Sequence, residues 1–353
     1  METICRIAQD ELVDFVARLF SRFGLTLEDA RLLALSLVDA DMCGVKSHGL
    51  VRVPSYVDQL RNGAFGTDSE VEVVRDSGFA LLLDAHNAMG AVASQKACRM
   101  TREKAEKFGI ACTLVRGSNH YGAAGYWADI LAQKDMIGFS ATNTVPIVTP
   151  PGGIGRGIGS NPFAYSIPAG KYPSICLDIA VGVMAQGKIW EYKRLDKKLP
   201  ENAWIGPDGE ITTDPHKFDV TDYIMMPFGA HKGFGLGIIM ELITSQLAGD
   251  RFHSSYAGLT ADMPKTSHIF VAMRIDAFLD PEEYRARVDD YIDYVHGLPV
   301  RPGCPAPKYP GEIEAGIKAE AIKNGVPLAK QVLDDMVAIA REVDVDTTGL
   351  PCI

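Results

Sequence analysis

Pro151-Gly152-Gly153-Ile154-Gly155-Arg156-Gly157-Ile158-Gly159-Ser160-Asn161-Pro162 is the stretch on which the fold turns. Its glycines at 153, 155, 157 and 159 are spaced by two. The βα turn of a doubly wound dinucleotide-binding fold needs G-x-G-x-x-G opening a helix, and no helix starts on a run that leads into Asn-Pro. The stretch therefore reads as a turn-rich loop, and a Rossmann fingerprint is absent.

Outward from this loop, strand-like and helical patterns alternate. On the amino-terminal side the expectation is a strand over Phe79–Leu83, helices over Ala91–Phe108 and Ala123–Gln133, and strands over Ile110–Val115 and Met136–Ala141. On the other side come strands over Phe163–Ile167 and Ser174–Leu177, with Asp178 where the second ends. An irregular stretch 190–222 follows, then an apolar helix Phe234–Leu247 opening from Gly229-Ala230-His231-Lys232-Gly233. A strand His268–Ile275, a helix Pro281–His296, a Pro-rich crossing 299–310 and a last helix Leu328–Val343 complete the chain. Helices and strands then share one layered core, an α/β (α+β) class. At the start, Leu12, Phe15, Val16, Leu19 and Phe20 recur at helical spacing, and Thr26 with Asp29 resembles a capping box. Turn residues at Gly63–Gly66 and Asp76–Gly78 predict a boundary near residue 77.

Composition narrows the class of function. Apolar residues make up 47% and charged residues 23%, which describes a globular chain and excludes disorder. The net charge of −10 is spread out, without a Lys/Arg stripe for a phosphate backbone, so nucleic acid is not an expected partner. No run of about 18 apolar residues suggests a membrane span. The start, Met1-Glu2-Thr3-Ile4-Cys5-Arg6 leading to Asp10 and Glu11, is not a secretory signal. The seven cysteines form no C-x-x-C pair, which predicts reduced thiols and a cytoplasmic location. The eight histidines show no H-x-x-x-H spacing, so no metal site is expected.

Three stretches carry chemistry. Ser47-His48-Gly49 followed by Arg52 puts an imidazole four residues from a guanidinium, on one face if the segment is helical. Imidazole moves a proton at a carbinol oxygen and the Arg fork grips a carboxylate, the pairing a 2-hydroxy acid dehydrogenase needs. Gly117-Ser118-Asn119-His120-Tyr121-Gly122 follows a strand and opens a helix, which makes His120 a second acid/base candidate. Lys232, at the mouth of a helix whose first amides are expected to be unpaired, suits a pyrophosphate.

Read together, these stretches resemble the type 2 malate/L-lactate dehydrogenase family, which also includes ureidoglycolate, sulfolactate and diketogulonate enzymes and a cyclic imino acid reductase. The resemblance continues through Asn143-Thr144-Val145-Pro146, Gly159-Ser160-Asn161-Pro162, Asp178 with Gly187-Lys188, Thr213-Asp214-Pro215, His231-Lys232-Gly233-Phe234-Gly235 and Pro310-Gly311-Glu312. It implies a non-Rossmann nicotinamide-binding domain with a largely antiparallel sheet (78–299), inserted into a helical domain built from both chain ends (1–77 and 300–353). It also implies a homodimer without a catalytic metal. By motif position, His48 and His120 would be the acid/base candidates. Ser47, Arg52 and Asn143 would bind substrate. Thr144, Asp178, Ile179, Ala180, His231, Lys232, Pro310, Gly311 and Glu312 would line the site of NAD or NADP. The chain departs from the family at Ile179-Ala180-Val181-Gly182, where relatives often carry small hydroxylated residues, and at His86, where they commonly carry an acid.

The activity this implies is oxidation of a small 2-hydroxy acid or reduction of its 2-keto acid. The alternatives are reduction of cyclic 2-imino acids by the same His and Arg, or a dinucleotide-binding sensor without catalysis.

Overall fold

The computed structural model describes residues 3–185, 188–250, 265–348 and 350; Met1, Glu2 and Gly187, used in the sequence reading, lie outside them. The chain opens with β1 (Ile4–Ile7), α1 (Gln9–Ser21) and α2 (Leu27–Met42), then two 3-10 turns at Lys46–His48 and Leu50–Arg52, then α3 (Val53–Arg61). Next come β2 (Glu72–Asp76), β3 (Ala80–Asp84), α4 (Gly90–Phe108), β4 (Ile110–Ser118), α5 (Ala124–Ala132), β5 (Met136–Thr142), β6 (Phe163–Ile167) and β7 (Ile175–Ile179). The glycine run between β5 and β6 contains no helix. The remainder is α6 (Lys188–Arg194), β8 (Trp204–Ile205), β9 (Ile224–Met225), α7 (His231–Glu241), β10 (Thr266–Arg274), α8 (Pro281–His296), α9 (Glu312–Asn324), β11 (Val326–Ala329) and α10 (Lys330–Glu342).

Local rules account for the amino-terminal helices. α1 buries Leu12, Phe15, Val16, Leu19 and Phe20, one face of a 3.6-residue period. α2 starts on the expected cap, where Thr26 Oγ1 accepts the Asp29 N–H at 3.1 Å. It ends in a Schellman motif: Gly44 takes φ 76°, its N–H donates to Asp41 O, and the Val45 N–H donates to Ala40 O.

Seven strands form the main sheet, in the order β2-β3-β4-β10-β5-β6-β7. Only β3–β4 is parallel; the other neighbours pair antiparallel. Side chains alternate across it, so that Phe270 joins one core and Ile269 the other. The first core packs α4, α5 and the chain-end helices on one face, through Phe15, Leu37, Val92, Trp127, Leu333 and Met336. The second, around Phe163, Val181, Trp204, Tyr223 and Met240, covers the opposite face. The two ends of the chain meet directly: β1 pairs with β11 from Ile4↔Ala329 to Ile7↔Val326, and Arg61 on α3 pairs with Glu342 on α10 at 2.6 Å.

The structure revises several local expectations. Ser47 to Arg52 is not one helix, because Gly49 is extended (φ −89°, ψ −151°) and splits the segment into two tight turns. Asp178 lies inside β7 and not at its end, α6 occupies part of the stretch read as irregular, and β2 enters the sheet before residue 77. α9 goes unannounced because Ala321 is its one fully buried residue, leaving no apolar stripe to read.

His268 in β10 locks the middle of the sheet. Its Nε2 lies 2.9 Å from Ser118 Oγ on β4, its Nδ1 lies 2.8 Å from Thr142 Oγ1 on β5, and its ring stacks on Tyr121 at 4.5 Å. Burial pulls its pKa from 6.5 down to about 3. The unfolded chain therefore takes up this proton first, so the stability contributed is complete above pH 6.5 and lost as pH falls towards 3. Between neutrality and about pH 4.5 the loss from this one group should be about 2–3 kcal/mol. Melting curves across that range should fall less steeply for His268→Asn than for the parent chain; parallel slopes would show that His268 is not the buried neutral base described here.

Candidate active site

The segment after α2 carries Ser47, His48 and Arg52 on its two tight turns. Ser47 Oγ lies 2.9 Å from His48 Nδ1, and Arg52 Nε donates to the Ser47 carbonyl at 2.7 Å. That bond turns the guanidinium beside His48, and no partner is recorded for its Nη groups among the described residues. Although the segment is not an α-helix, His48 and Arg52 are still neighbours.

His120 arrives from the β4–α5 connection and stacks on His48, with ring centroids 5.4 Å apart and planes 19° from parallel. Tyr56 on α3, nearly fully buried, sets its hydroxyl 2.5 Å from His120 Nδ1, and the Gly122 N–H also points at that nitrogen from 3.4 Å. An amide can only donate, so Nδ1 accepts and the ring proton belongs on Nε2. Neither imidazole has a recorded partner on Nε2 among the described residues.

Burial, then the Arg52 charge, lowers His48 to about 4. His120 is held well below the usual histidine range by burial, then by His48, Arg52 and His268. Both rings are neutral at pH 7, and His48 opposes protonation of His120. Two bases that cannot both be charged, beside a fixed cation, form a place where one proton and one carboxylate can be handled together.

The residues expected to face a dinucleotide fall into three groups. Asp178 on β7 is exposed, and its Oδ2 accepts the Gly125 N–H at 2.7 Å in the first turn of α5, the helix that His120 leads into. Crowding by the surrounding chain raises its carboxyl to about 6 against the pull of that hydrogen bond, an effect that water reaching an exposed group reduces. Ile179 packs on the second core and Ala180 is exposed. Pro310 to Glu312 runs beside the same strand: the Cys176 N–H donates to Pro310 O at 3.0 Å, and Gly311, at φ 87°, leaves a Cβ only 2.9 Å from Cys176 N. Glu312 is already held by His296 and Lys308, at 2.9 and 3.1 Å.

Thr144 forms the second group with the end of the glycine run. Its N–H donates to Asn161 Oδ1 at 3.0 Å, and its hydroxyl accepts the Ser160 N–H at 2.8 Å. Gly159 is obligatory there, since a Cβ would meet Thr144 O at 2.2 Å. Asn161 Nδ2 donates to the buried Glu241 on α7 at 2.9 Å. Asn143, expected to bind substrate, is fully buried, its oxygen accepting the Ser267 N–H at 2.8 Å and its amide donating to Glu241 at 3.3 Å. His231 and Lys232, the third group, are exposed at the start of α7. Contrary to expectation, the Lys232 and Gly233 amides are taken, donating to Gly229 O and Phe228 O.

Tyr56 and Glu241 escaped the sequence reading. Tyr56 follows Arg52 by four residues, a spacing visible once α3 is recognised, whereas nothing in its own neighbourhood marks Glu241 as a brace. His86 now has a physical account: at φ 45° on the β3 turn, its Nε2 lies 2.9 Å from Glu72 and its Nδ1 3.5 Å from Asp84, where an acid would be repelled by both. Among the described residues no group of three or more His, Cys, Asp or Glu is arranged to hold a metal ion, and no helix is long and apolar enough to cross a membrane.

Known proteins resemble this chain over nearly its whole length. A malate dehydrogenase from Pyrococcus abyssi is 34% identical over 98% of this chain and 96% of its own. An L-sulfolactate dehydrogenase from Methanothermobacter thermautotrophicus is 32% identical over 97% of this chain and 98% of its own. The solved malate dehydrogenase from Pyrococcus horikoshii superposes with a TM-score of 0.88 at 29% identity, covering 97% of each chain. With the family model described as malate/L-lactate dehydrogenase matching residues 7–337, a span that takes in both histidines, Arg52 and the β7 edge, the chain belongs to the malate/L-lactate dehydrogenase family.

Proposed function

We propose that this dehydrogenase-family chain moves a hydride between a nicotinamide dinucleotide, NAD or NADP, and C2 of a small 2-hydroxy or 2-keto acid. The observation that carries the reading is the stacked His48–His120 pair with Arg52 beside it. Arg52 holds the substrate carboxylate through its two Nη groups, with the Ser47 hydroxyl close by. His48 takes the proton of the carbinol oxygen in oxidation and returns it in reduction. Its low pKa leaves it neutral and ready to accept. A carboxylate docked on Arg52 offsets the charge that holds His48 down, so proton uptake accompanies substrate binding. His120, with Nε2 directed away from Tyr56, is the second candidate for the same role.

The donor set suits a dinucleotide. Lys232 at the positive end of α7 matches a phosphate, Asp178 matches hydroxyl or amide donors, and Thr144 offers a braced hydroxyl. Ile179, Ala180, His231 and Pro310 to Glu312 complete the lining in this reading. When bound, the cofactor supplies or removes the hydride; the protein contributes orientation and the proton.

A homodimer belongs to the same proposal, supported by Leu236, Ile238, Ile239, Leu242 and Leu247, exposed together on α7 and the turn after it. So do a cytoplasmic location, supported by cysteines that occur singly along the sequence without a C-x-x-C pair, and a division into 1–77 plus 300–353 and 78–299, supported by the β1–β11 pairing of the chain ends.

His48→Ala should lower kcat by roughly 10²- to 10⁴-fold, with dinucleotide affinity retained. The reverse pattern, with His120→Ala inactive and His48→Ala near normal, would exchange their roles; activity in both would remove the acid/base argument. In the parent chain, kcat/KM for oxidation should have an acid limb centred nearer 4 than 6.5. Arg52→Lys should raise the KM for the acid at least tenfold and leave dinucleotide Kd unchanged, because an ammonium cannot reproduce the two-bond grip. Lys232→Ala should weaken dinucleotide binding more than it slows turnover, read by titrating NADH and NADPH fluorescence; unchanged affinity for both would make it a surface residue.

A further inference from the structure

The segment bearing Ser47, His48 and Arg52 is built from tight turns, and its other recorded backbone bonds stay within it. The His48 N–H donates to Val45 O, the Gly49 N–H to Lys46 O and the Arg52 N–H to Gly49 O. Two 3-10 turns of three residues each cannot hold their own shape in water. Asp41, in the last turn of α2, ties them down. Its backbone carbonyl accepts the Gly44 N–H at 3.0 Å where the helix ends, and its Oδ2 accepts the Leu50 N–H at 2.7 Å where the second turn begins. One residue thus closes both ends of the excursion that presents His48.

The fit is close. A Cβ at position 49 would lie 2.4 Å from the Asp41 Cγ and Oδ2. Gly49 needs no left-handed backbone, since its φ is −89°; it is required because the carboxyl fills the space. The glycine of Ser47-His48-Gly49 therefore has a partner outside the motif. Asp41 is 4% exposed and sits at the negative end of α2, and burial raises it to about 7 against the Leu50 N–H and Lys46. Burying a carboxyl is costly unless it is hydrogen-bonded, and the bond Asp41 makes here is the one to the Leu50 N–H.

Resting on the function proposed above, we propose that Asp41 is a positioning residue: through the Leu50 N–H and the room left by Gly49 it sets where His48 and Arg52 stand, without touching substrate or cofactor. Asp41→Ala removes the acceptor, Asp41→Asn keeps an oxygen of the same reach, and Gly49→Ala pushes the carboxyl away. In the full-length chain, Asp41→Ala and Gly49→Ala should each lower kcat/KM at least tenfold, with dinucleotide Kd within twofold of the parent, and raise amide exchange across residues 45–52. Asp41→Asn should restore both rate and protection. Adding Gly49→Ala to Asp41→Ala should cost little more, because the clash has no partner left. Full protection and rate in Asp41→Ala, equal impairment of the Ala and Asn variants, or additive losses in the double variant would overturn the proposal. If Asp41→Ala fails to fold, Gly49→Ala against the parent decides it by the same exchange measurement. Exchange reads the segment whatever the substrate is, so a parent chain without 2-keto acid turnover would count against the proposed function while leaving this test intact.

Discussion

Two neutral imidazoles delivered by distant parts of the chain lie in contact, and the rest of the molecule is arranged to keep them there. His48 lies in the tight turns that follow α2; His120 lies in the connection that follows β4 of the sheet. Their 5.4 Å stack depends on both being fixed against the same core, and on Tyr56 bridging from α3 to His120 across 64 residues of sequence. Charging either ring is opposed by burial and by Arg52, and His120 is held down further by His48, so both stay neutral at pH 7.

That constraint explains features that otherwise look unrelated. The paired strands β1 and β11 and the Arg61–Glu342 pair return the end of the chain to its start and α10 to α3, which holds the His48 side of the contact. On the His120 side, β10 is clamped between β4 and β5 through His268, whose two nitrogens meet a hydroxyl on each neighbour. Glu241, buried below the surface of α7, braces Asn143 and Asn161 and so links the helix bearing Lys232 to the turn bearing Thr144.

Much of this was legible from spacing alone. The period-two glycines excluded a helix after β5, and none is there; the cap at Thr26 and the boundaries of α8 came from local chemistry that tertiary structure did not override. Ser47, His48, Arg52 and His120 were legible as residue types, but their geometry was not: a four-residue interval suggested one helix face, whereas Gly49 is extended and breaks the segment into two turns, its missing Cβ leaving room for Asp41. The direction of Asn143 was not legible either, because a motif marks a residue without saying which way its side chain points, and here it points inward to Glu241. Tyr56, Asp41 and Glu241 were invisible because each acts on a partner that only the folded chain brings near.

The central claim is that this site handles a 2-keto acid and a nicotinamide dinucleotide together. A panel of 2-keto acids and cyclic imino acids, followed through nicotinamide absorbance with NADH and with NADPH, tests it most directly. The account predicts turnover of at least one 2-keto acid that far exceeds that of any cyclic imine. Reduction of cyclic imines alone, or dinucleotide binding without turnover of any compound, would contradict it.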